Sequence, residues 1–199
     1  MPSRQSHLPA LVSFIVLPLI FSQPVQAGWA LDGGSSSLYY VTSKAAAVSE
    51  LNSFGELSGS IADDGRASVS IMLGSVDTAI DIRNERMREI VFQVATYPLA
   101  TVSLSADANQ LNNMTAGDTV RTTVEAMLDL HGMVQPLTLD LVITGLKEGG
   151  LQVSLARPLI LNASTFGLAE GVEQLREIAG LPSINNNVVV DFTLQFDAD

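Results

Sequence analysis

Few residues of this sequence have side chains that could perform catalysis or ligate a metal ion. The chain contains no Cys and two His, His7 and His131. The absence of Cys excludes thiolate nucleophiles, disulfides and Cys-ligated metals. His131 is the candidate for a Ser-His-Asp site, because His7 lies in an N-terminal segment described below. No G-x-S-x-G motif occurs in the chain, so no such site is indicated. Because Gly132 follows it at the end of a predicted strand, we interpret His131 as a turn residue and predict no catalytic residue.

Binding sites for metals and nucleotides are equally unsupported by the sequence. The acidic pair Asp63-Asp64 is too short for an EF-hand loop, which alternates its ligands and ends in Glu. We interpret the pair as part of a turn that ends at Gly65. Neither G-x-x-x-x-G-K-[ST] nor G-x-G-x-x-G occurs. The sequence therefore predicts no metal site and no nucleotide cofactor.

One charged cluster could contact a ligand. Arg83, Arg86 and Arg88 bring three of the chain's 10 Lys and Arg residues into six positions. Such a cluster could meet the anionic headgroup of a ligand at the mouth of a pocket. The alternative is a solvated helix face, because Glu85 and Glu89 lie among the arginines and compensate their charge.

The composition excludes two broad classes of protein. The formal net charge is −11, and 47% of the 199 residues are hydrophobic against 16% charged. An acidic chain with few cations is unsuited to nucleic acid, because neutralising phosphates requires clustered Lys and Arg. The high hydrophobic fraction also excludes intrinsic disorder.

The N-terminal 27 residues have the pattern of a secretory signal peptide. Arg4 is followed by an apolar stretch at residues 8–21, which is too short to span a bilayer. Val25 and Ala27 then occupy the −3 and −1 positions of a cleavage site. We predict that residues 1–27 are removed and that residues 28–199 form one periplasmic domain without a transmembrane segment. Loss of Arg4 would lower the net charge from −11 to −12.

Hydrophobic residues of the predicted mature chain alternate with polar ones, which is typical of antiparallel strands in a sandwich or barrel. In the last and clearest case, Val188, Val190, Phe192, Leu194 and Phe196 share one face. We predict eight or nine strands, at residues 36–43, 47–54, 57–61, 67–73, 101–106, 119–130, 137–143, 151–155 and 188–196.

Two segments have helical spacing instead. Residues 84–92 and 172–179 place apolar side chains three and four positions apart, and Gly180 with Pro182 supplies a stop for the second helix. The helices do not alternate regularly with strands, so a parallel sheet is not indicated. The sequence thus predicts an all-β domain with two short helices.

Four blocks along the chain resemble those of one known family. Trp29 precedes a serine-led strand, and residues 75–88 form a characteristic block that is closed by residues 95–98. His131 begins the pattern H-G-x-x-x-P-x-x-L, and Phe166-Gly167 precedes the last helix. Together these blocks resemble the YceI-like family of exported lipid-binding proteins. Members commonly carry Asp at the position of Asn84 and His at that of Arg86, so the chain departs from the family at this corner.

The resemblance implies an elongated antiparallel β-barrel, lipocalin-like in shape, whose tunnel holds a long lipid chain. The implied ligand is a polyisoprenoid or isoprenoid quinone, and neither catalysis nor another cofactor is implied. We expect the interior to have room, because aromatic residues make up only 6% of the chain. A filled barrel that acts as an interaction or stress-response module is the alternative. The sequence does not decide whether the protein forms a homodimer. The predicted lining comprises Ile71, Leu104, Val124, Leu139, Val153, Phe166 and Phe192.

Overall fold

A computed structural model describes residues 27–45 and 47–199 of the chain, with side chains from Gly28 onward. The predicted signal peptide lies outside these residues except for Ala27, at which the first strand begins. Cleavage after Ala27 would therefore shorten that strand by one residue.

The described residues contain eleven strands and three short α-helices. Each of the nine predicted strands overlaps one of the eleven. The strands are β1 (Ala27–Lys44), β2 (Val48–Phe54), β3 (Leu57–Ala62), β4 (Arg66–Met72), β5 (Val76–Asp77), β6 (Leu99–Ser105), β7 (Thr119–Leu130), β8 (Met133–Gly145), β9 (Leu151–Leu155), β10 (Leu159–Asn162) and β11 (Asn187–Ala198).

Eight of these strands close into an antiparallel barrel. The ring runs β1-β3-β4-β6-β7-β8-β9-β11 and returns to β1 through the β1–β11 pair. This arrangement confirms the predicted fold class. Closure leaves no free edge in the ring, because every ring strand has a partner on both sides.

The three remaining strands extend the barrel wall at one end. The long strand β1 pairs with β3 near its start and with β2 over its last residues. Strand β5 adds to β2, and β10 adds to β11. The periodicity did not reveal β5 and β10, because two and four residues are too few for an alternation to be recognised.

Two of the three helices lie at the extended end of the barrel. Helix α1 (Asp81–Arg86) continues into π-helical turns at Met87–Val91, and α3 (Ala169–Ile178) contacts these turns. Both predicted helices are present, and each begins three residues earlier than the sequence indicates. Helix α2 (Ala108–Asn112) was missed because it spans little more than one turn. Single 3₁₀ turns occur at Leu73–Ser75, Lys147–Gly149 and Ala163–Phe166.

A side-chain hydrogen bond supports barrel closure where β1 meets β11. Trp29 is 7% exposed, and its Nε1 donates to the carbonyl of Gly149 at 2.8 Å. Leu73 and Leu151 are the most deeply buried large side chains, at 1% exposure each. None of the described helices has both the length and the apolar composition required to cross a membrane.

Candidate functional site

The barrel encloses a cavity of about 480 Å³. This volume lies within the range of small-molecule pockets, about 300–1,000 Å³. Its walls are mostly aliphatic, with Leu, Val and Ile side chains from nearly every strand of the ring. Three aromatic residues form a cluster on one side. The ring centroid of Phe54 lies 5.4 Å from that of Tyr40 and 5.7 Å from that of Phe92. Such a cavity suits an apolar ligand.

Six of the seven residues predicted to line the cavity do so. They are Ile71, Leu104, Leu139, Val153, Phe166 and Phe192.

Val124 is the exception among the seven. It is half-buried and packs against the core, but β7 contributes Leu128 and Leu130 to the lining instead. Alternation along a strand identifies the inward face, but it does not reveal which inward side chains border the cavity: Leu139, the cross-strand partner of Val124, does so.

The cavity has a mouth at the end where α1 and α3 lie. Its rim is formed by the β1–β2 hairpin, by the start of α1 and by the segment after α3, which contribute Lys44, Glu50, Ile82 and Ile184 to the lining. Ile80 and Ile82 line the cavity, yet they are 47% and 52% exposed. Apolar surface is therefore continuous from the cavity to the outside of the protein.

Charged residues at the mouth are joined by a single carboxylate. Glu50 accepts hydrogen bonds from Lys44 Nζ and Arg83 Nη1, each at 2.8 Å. Burial alone would raise the pKa of Glu50, but these two cations outweigh it and hold that pKa below its ordinary value. Glu50 therefore stays ionised and neutralises part of the positive charge at the mouth.

The three predicted headgroup arginines occupy different positions. Arg83 and Arg86 line the cavity, whereas Arg88 does not. Arg83 is engaged by Glu50 and by the carbonyl of Thr78. Arg86 forms no ion pair among the described residues. A single anion site that uses all three arginines is therefore not assembled in this structure.

Asn84 attaches helix α1 to the preceding loop. Its Oδ1 accepts hydrogen bonds from the backbone nitrogen of Thr78 at 2.8 Å and from Thr78 Oγ1 at 2.6 Å. An Asp, which the family commonly has here, would offer the same acceptor oxygen. Asn84 Nδ2 also donates to Asp77 Oδ1 at 3.4 Å, a contact that an Asp could not make.

Helix α3 covers the mouth from the opposite side and packs closely on the π-helical turns. Gly171 is buried, and a Cβ built on it would lie 2.7 Å from the carbonyl oxygen of Ile90. Val172 and Leu175 on the same helix line the cavity. The absence of a side chain at Gly171 thus allows α3 to approach the turns and seal this part of the wall.

The sequence did not reveal the polar residues of the lining, among them Tyr40 and Asn52. Tyr40 and Asn52 face each other across β1 and β2, and their exposed fractions are 7% and 4%. They share one face of each strand with Thr42 and Glu50. A face of this polarity is expected to meet solvent, so only the tertiary structure shows that it faces the cavity.

His131 lies outside the cavity lining. It occupies the turn between β7 and β8 with φ of 56°, as interpreted from the sequence, and its ring lies 4.3 Å from that of Tyr97. Its Nε2 is buried without a hydrogen-bond partner in the described part of the chain. No group of three or more His, Asp and Glu side chains that could hold a metal ion occurs in residues 27–45 and 47–199.

Solved structures with the same fold include two bacterial proteins. A polyisoprenoid-binding domain from Saccharophagus degradans, implicated in plant cell wall breakdown, is 37% identical; the match covers 87% of this chain and 100% of that one, with a TM-score of 0.86. BcnA from Burkholderia cenocepacia is 20% identical over 83% of this chain and 98% of that one, with a TM-score of 0.64. A comparison with curated proteins gives no match.

A family model that matches most of the chain identifies the family of this protein. The family model described as a YceI-like domain matches residues 29–196, from Trp29 in β1 to Phe196 in β11. These bounds coincide with the closed barrel, whose first and last strands pair with each other. The chain therefore belongs to the YceI-like family.

Proposed function

We propose that this protein binds a long-chain lipid in its barrel cavity and does not catalyse a reaction on it. The observation that carries the proposal is the aliphatic cavity of about 480 Å³ with a continuous apolar path to its mouth. Burying a hydrocarbon chain there contributes about 25 cal/mol per Å² of apolar surface before the cost of association. A filled barrel that acts as an interaction module is not favoured by an interior of this volume.

The resemblance to a polyisoprenoid-binding domain supports the choice of ligand class. That domain is 37% identical to this chain and is matched over its full length. A polyisoprenoid or an isoprenoid quinone is therefore the proposed ligand, with no other cofactor. Its chain would lie among the predicted lining positions, and its head would lie toward the polar mouth, where Arg83 and Arg86 are placed.

Binding is proposed to take place in the periplasm after removal of residues 1–27. The mature chain would carry a net charge of −12, which disfavours docking on anionic membranes by charge alone. Exchange of the lipid would then depend on apolar contact at the mouth. Cell fractionation and N-terminal sequencing test this location, and a mature N-terminus at Gly28 is expected.

Ligand extraction tests the binding itself. Protein purified from its host would be extracted with organic solvent, and the extract would be analysed by mass spectrometry for prenyl lipids. The same protein would then be unfolded, stripped of lipid, refolded and incubated with polyisoprenoids and isoprenoid quinones. Stoichiometric retention is expected, and refolded protein that retains none of these lipids would refute the proposal.

A further inference from the structure

The inner face of the β1–β2 hairpin changes in polarity from the mouth toward the interior. Lys44 lies at the rim, the pair Thr42 and Glu50 follows, and Tyr40 pairs with Asn52 one level deeper. Below them the next pair, Leu38 and Phe54, is apolar. From Lys44 to Tyr40 the strand descends roughly 13 Å, at about 3.3 Å per residue. We call Tyr40, Thr42 and Asn52 the polar neck.

Polar atoms in and beside the neck lack partners within the described part of the chain. The Tyr40 hydroxyl and Arg83 Nε are buried and form no hydrogen bond. Asn52 uses Nδ2 for contacts of 3.2 Å to Thr42 Oγ1, 3.3 Å to the carbonyl of Glu50 and 3.5 Å to that of Tyr40, whereas its Oδ1 accepts none. Buried polar groups in native proteins are nearly always satisfied, so the Tyr40 hydroxyl and Arg83 Nε indicate a missing partner.

The three side chains of the neck are uncharged, and the charged groups lie beside it or above it. Among them, Glu50 lies 2.8 Å from both Lys44 and Arg83, so its single negative charge offsets one of these two cations. An anion at the level of Tyr40 and Asn52 would lose its hydration beside two buried, neutral side chains. Burial raises the pKa of Tyr40 above its ordinary value despite the opposing charge of Arg83. The phenol therefore stays protonated and can donate.

We propose that the polar neck binds the uncharged, oxygen-bearing head of a long-chain lipid, a hydroxyl or a carbonyl, below the arginines of the rim. Tyr40 Oη and Arg83 Nε would donate to this oxygen, and a hydroxyl head would donate in turn to Asn52 Oδ1. The chain would continue past Leu38 and Phe54 into the aliphatic part of the cavity. This inference rests on the proposed function, because it assigns the head of the same ligand.

Three probes with the same number of isoprene units test the assignment: a polyprenol, its polyprenyl phosphate and the corresponding hydrocarbon. Each would be titrated into delipidated, refolded full-length protein and its Tyr40→Phe variant. Wild type is expected to bind the polyprenol about tenfold more tightly than the hydrocarbon, and Tyr40→Phe is expected to remove most of that preference. Hydrocarbon affinity is expected to stay unchanged in the variant.

The stability of the lipid-free protein distinguishes this role from a structural one. Tyr40→Phe removes a hydroxyl that has no partner, so the lipid-free variant is expected to be at least as stable as wild type. A loss of stability without ligand would indicate a structural hydrogen bond and would contradict the proposal.

Two binding results would also overturn it. One is equal affinity of wild type for polyprenol and hydrocarbon. The other is tighter binding of the phosphate than of the alcohol, abolished by Arg86→Ala, which would place an anionic head at the rim instead. If wild type binds none of the three probes and no isoprenoid quinone, the proposed function itself fails. If wild type binds the hydrocarbon and has no preference for the alcohol, the assignment of the head to the polar neck is refuted, but the proposed function is not.

Discussion

Glu50 and Arg83 form an ion pair, 2.8 Å between Oε2 and Nη1, that joins strand β2 to helix α1 across the mouth of the cavity. The second carboxylate oxygen lies 2.8 Å from Lys44 Nζ on β1. None of the six residues of α1 is buried, so polar contacts rather than packing hold this helix in place. One carboxylate thus links the hairpin to the helix that borders the mouth.

Removing the charge of Glu50 is expected to loosen α1. In Glu50→Gln the free energy of unfolding should fall by about 1 kcal/mol, because the paired side chains are only 24–26% exposed. Urea denaturation measures this change, and hydrogen exchange should become faster in the amides of α1. Glu173→Gln is the control, since its ion pair with Arg176 is more exposed and lies away from α1. Equal exchange rates in α1 for both variants would contradict the prediction.

The same ion pairs predict a dependence of stability on pH. The pKa of Glu50 is below its ordinary value of 4.5 in the folded protein. Its contribution is therefore fully present above pH 4.5 and is lost as the pH falls through the lowered folded pKa. The stability difference between wild type and Glu50→Gln should shrink over that interval. Urea titrations between about pH 3 and 7 measure it, and a difference that is constant over this interval would be inconsistent with the ion pairs.

Filling the cavity is expected to abolish lipid retention without unfolding the barrel. Leu104 on β6 lines the cavity, whereas the adjacent Ser103 faces outward and is exposed. Leu104→Trp should therefore reduce bound lipid at least tenfold in the extraction assay, because the larger ring occupies the space of the chain. Ser103→Trp is the matched control and should retain lipid. Undiminished lipid in folded Leu104→Trp protein would show that the ligand lies elsewhere.

A methyl group at Gly171 is expected to separate α3 from the π-helical turns. The new Cβ would lie 2.7 Å from Ile90 O and 2.8 Å from Val91 Cα, both backbone atoms. Gly171→Ala should cost about 1–3 kcal/mol of unfolding free energy, although helix propensity alone would favour Ala. Gly74→Ala is the control, because nothing lies within 4 Å of its Cβ position. Thermal and urea unfolding would compare the two variants, and a stabilised Gly171→Ala protein would rule out the close contact.

The sequence predicted the fold class because apolar and polar residues alternate along each strand, which identifies a buried face and a solvent-exposed face. Residues 188–196 and 119–130 alternate over nine or more positions, and both are strands of the closed ring. For the same reason six of the seven predicted lining residues face the cavity. The two shortest strands and α2 have too few residues for a period to emerge.

What the sequence by itself determined was therefore local: the inward face of each strand, the two helices and the turn at His131. Only the tertiary structure decided which inward residues border open space, because that depends on side chains from several strands at one level of the barrel. Val124 faces inward but does not border the cavity, whereas Leu139, its partner on β8, does. Tyr40 and Asn52 lie on a face whose polarity indicates solvent, yet ring closure and the helices over the mouth enclose them.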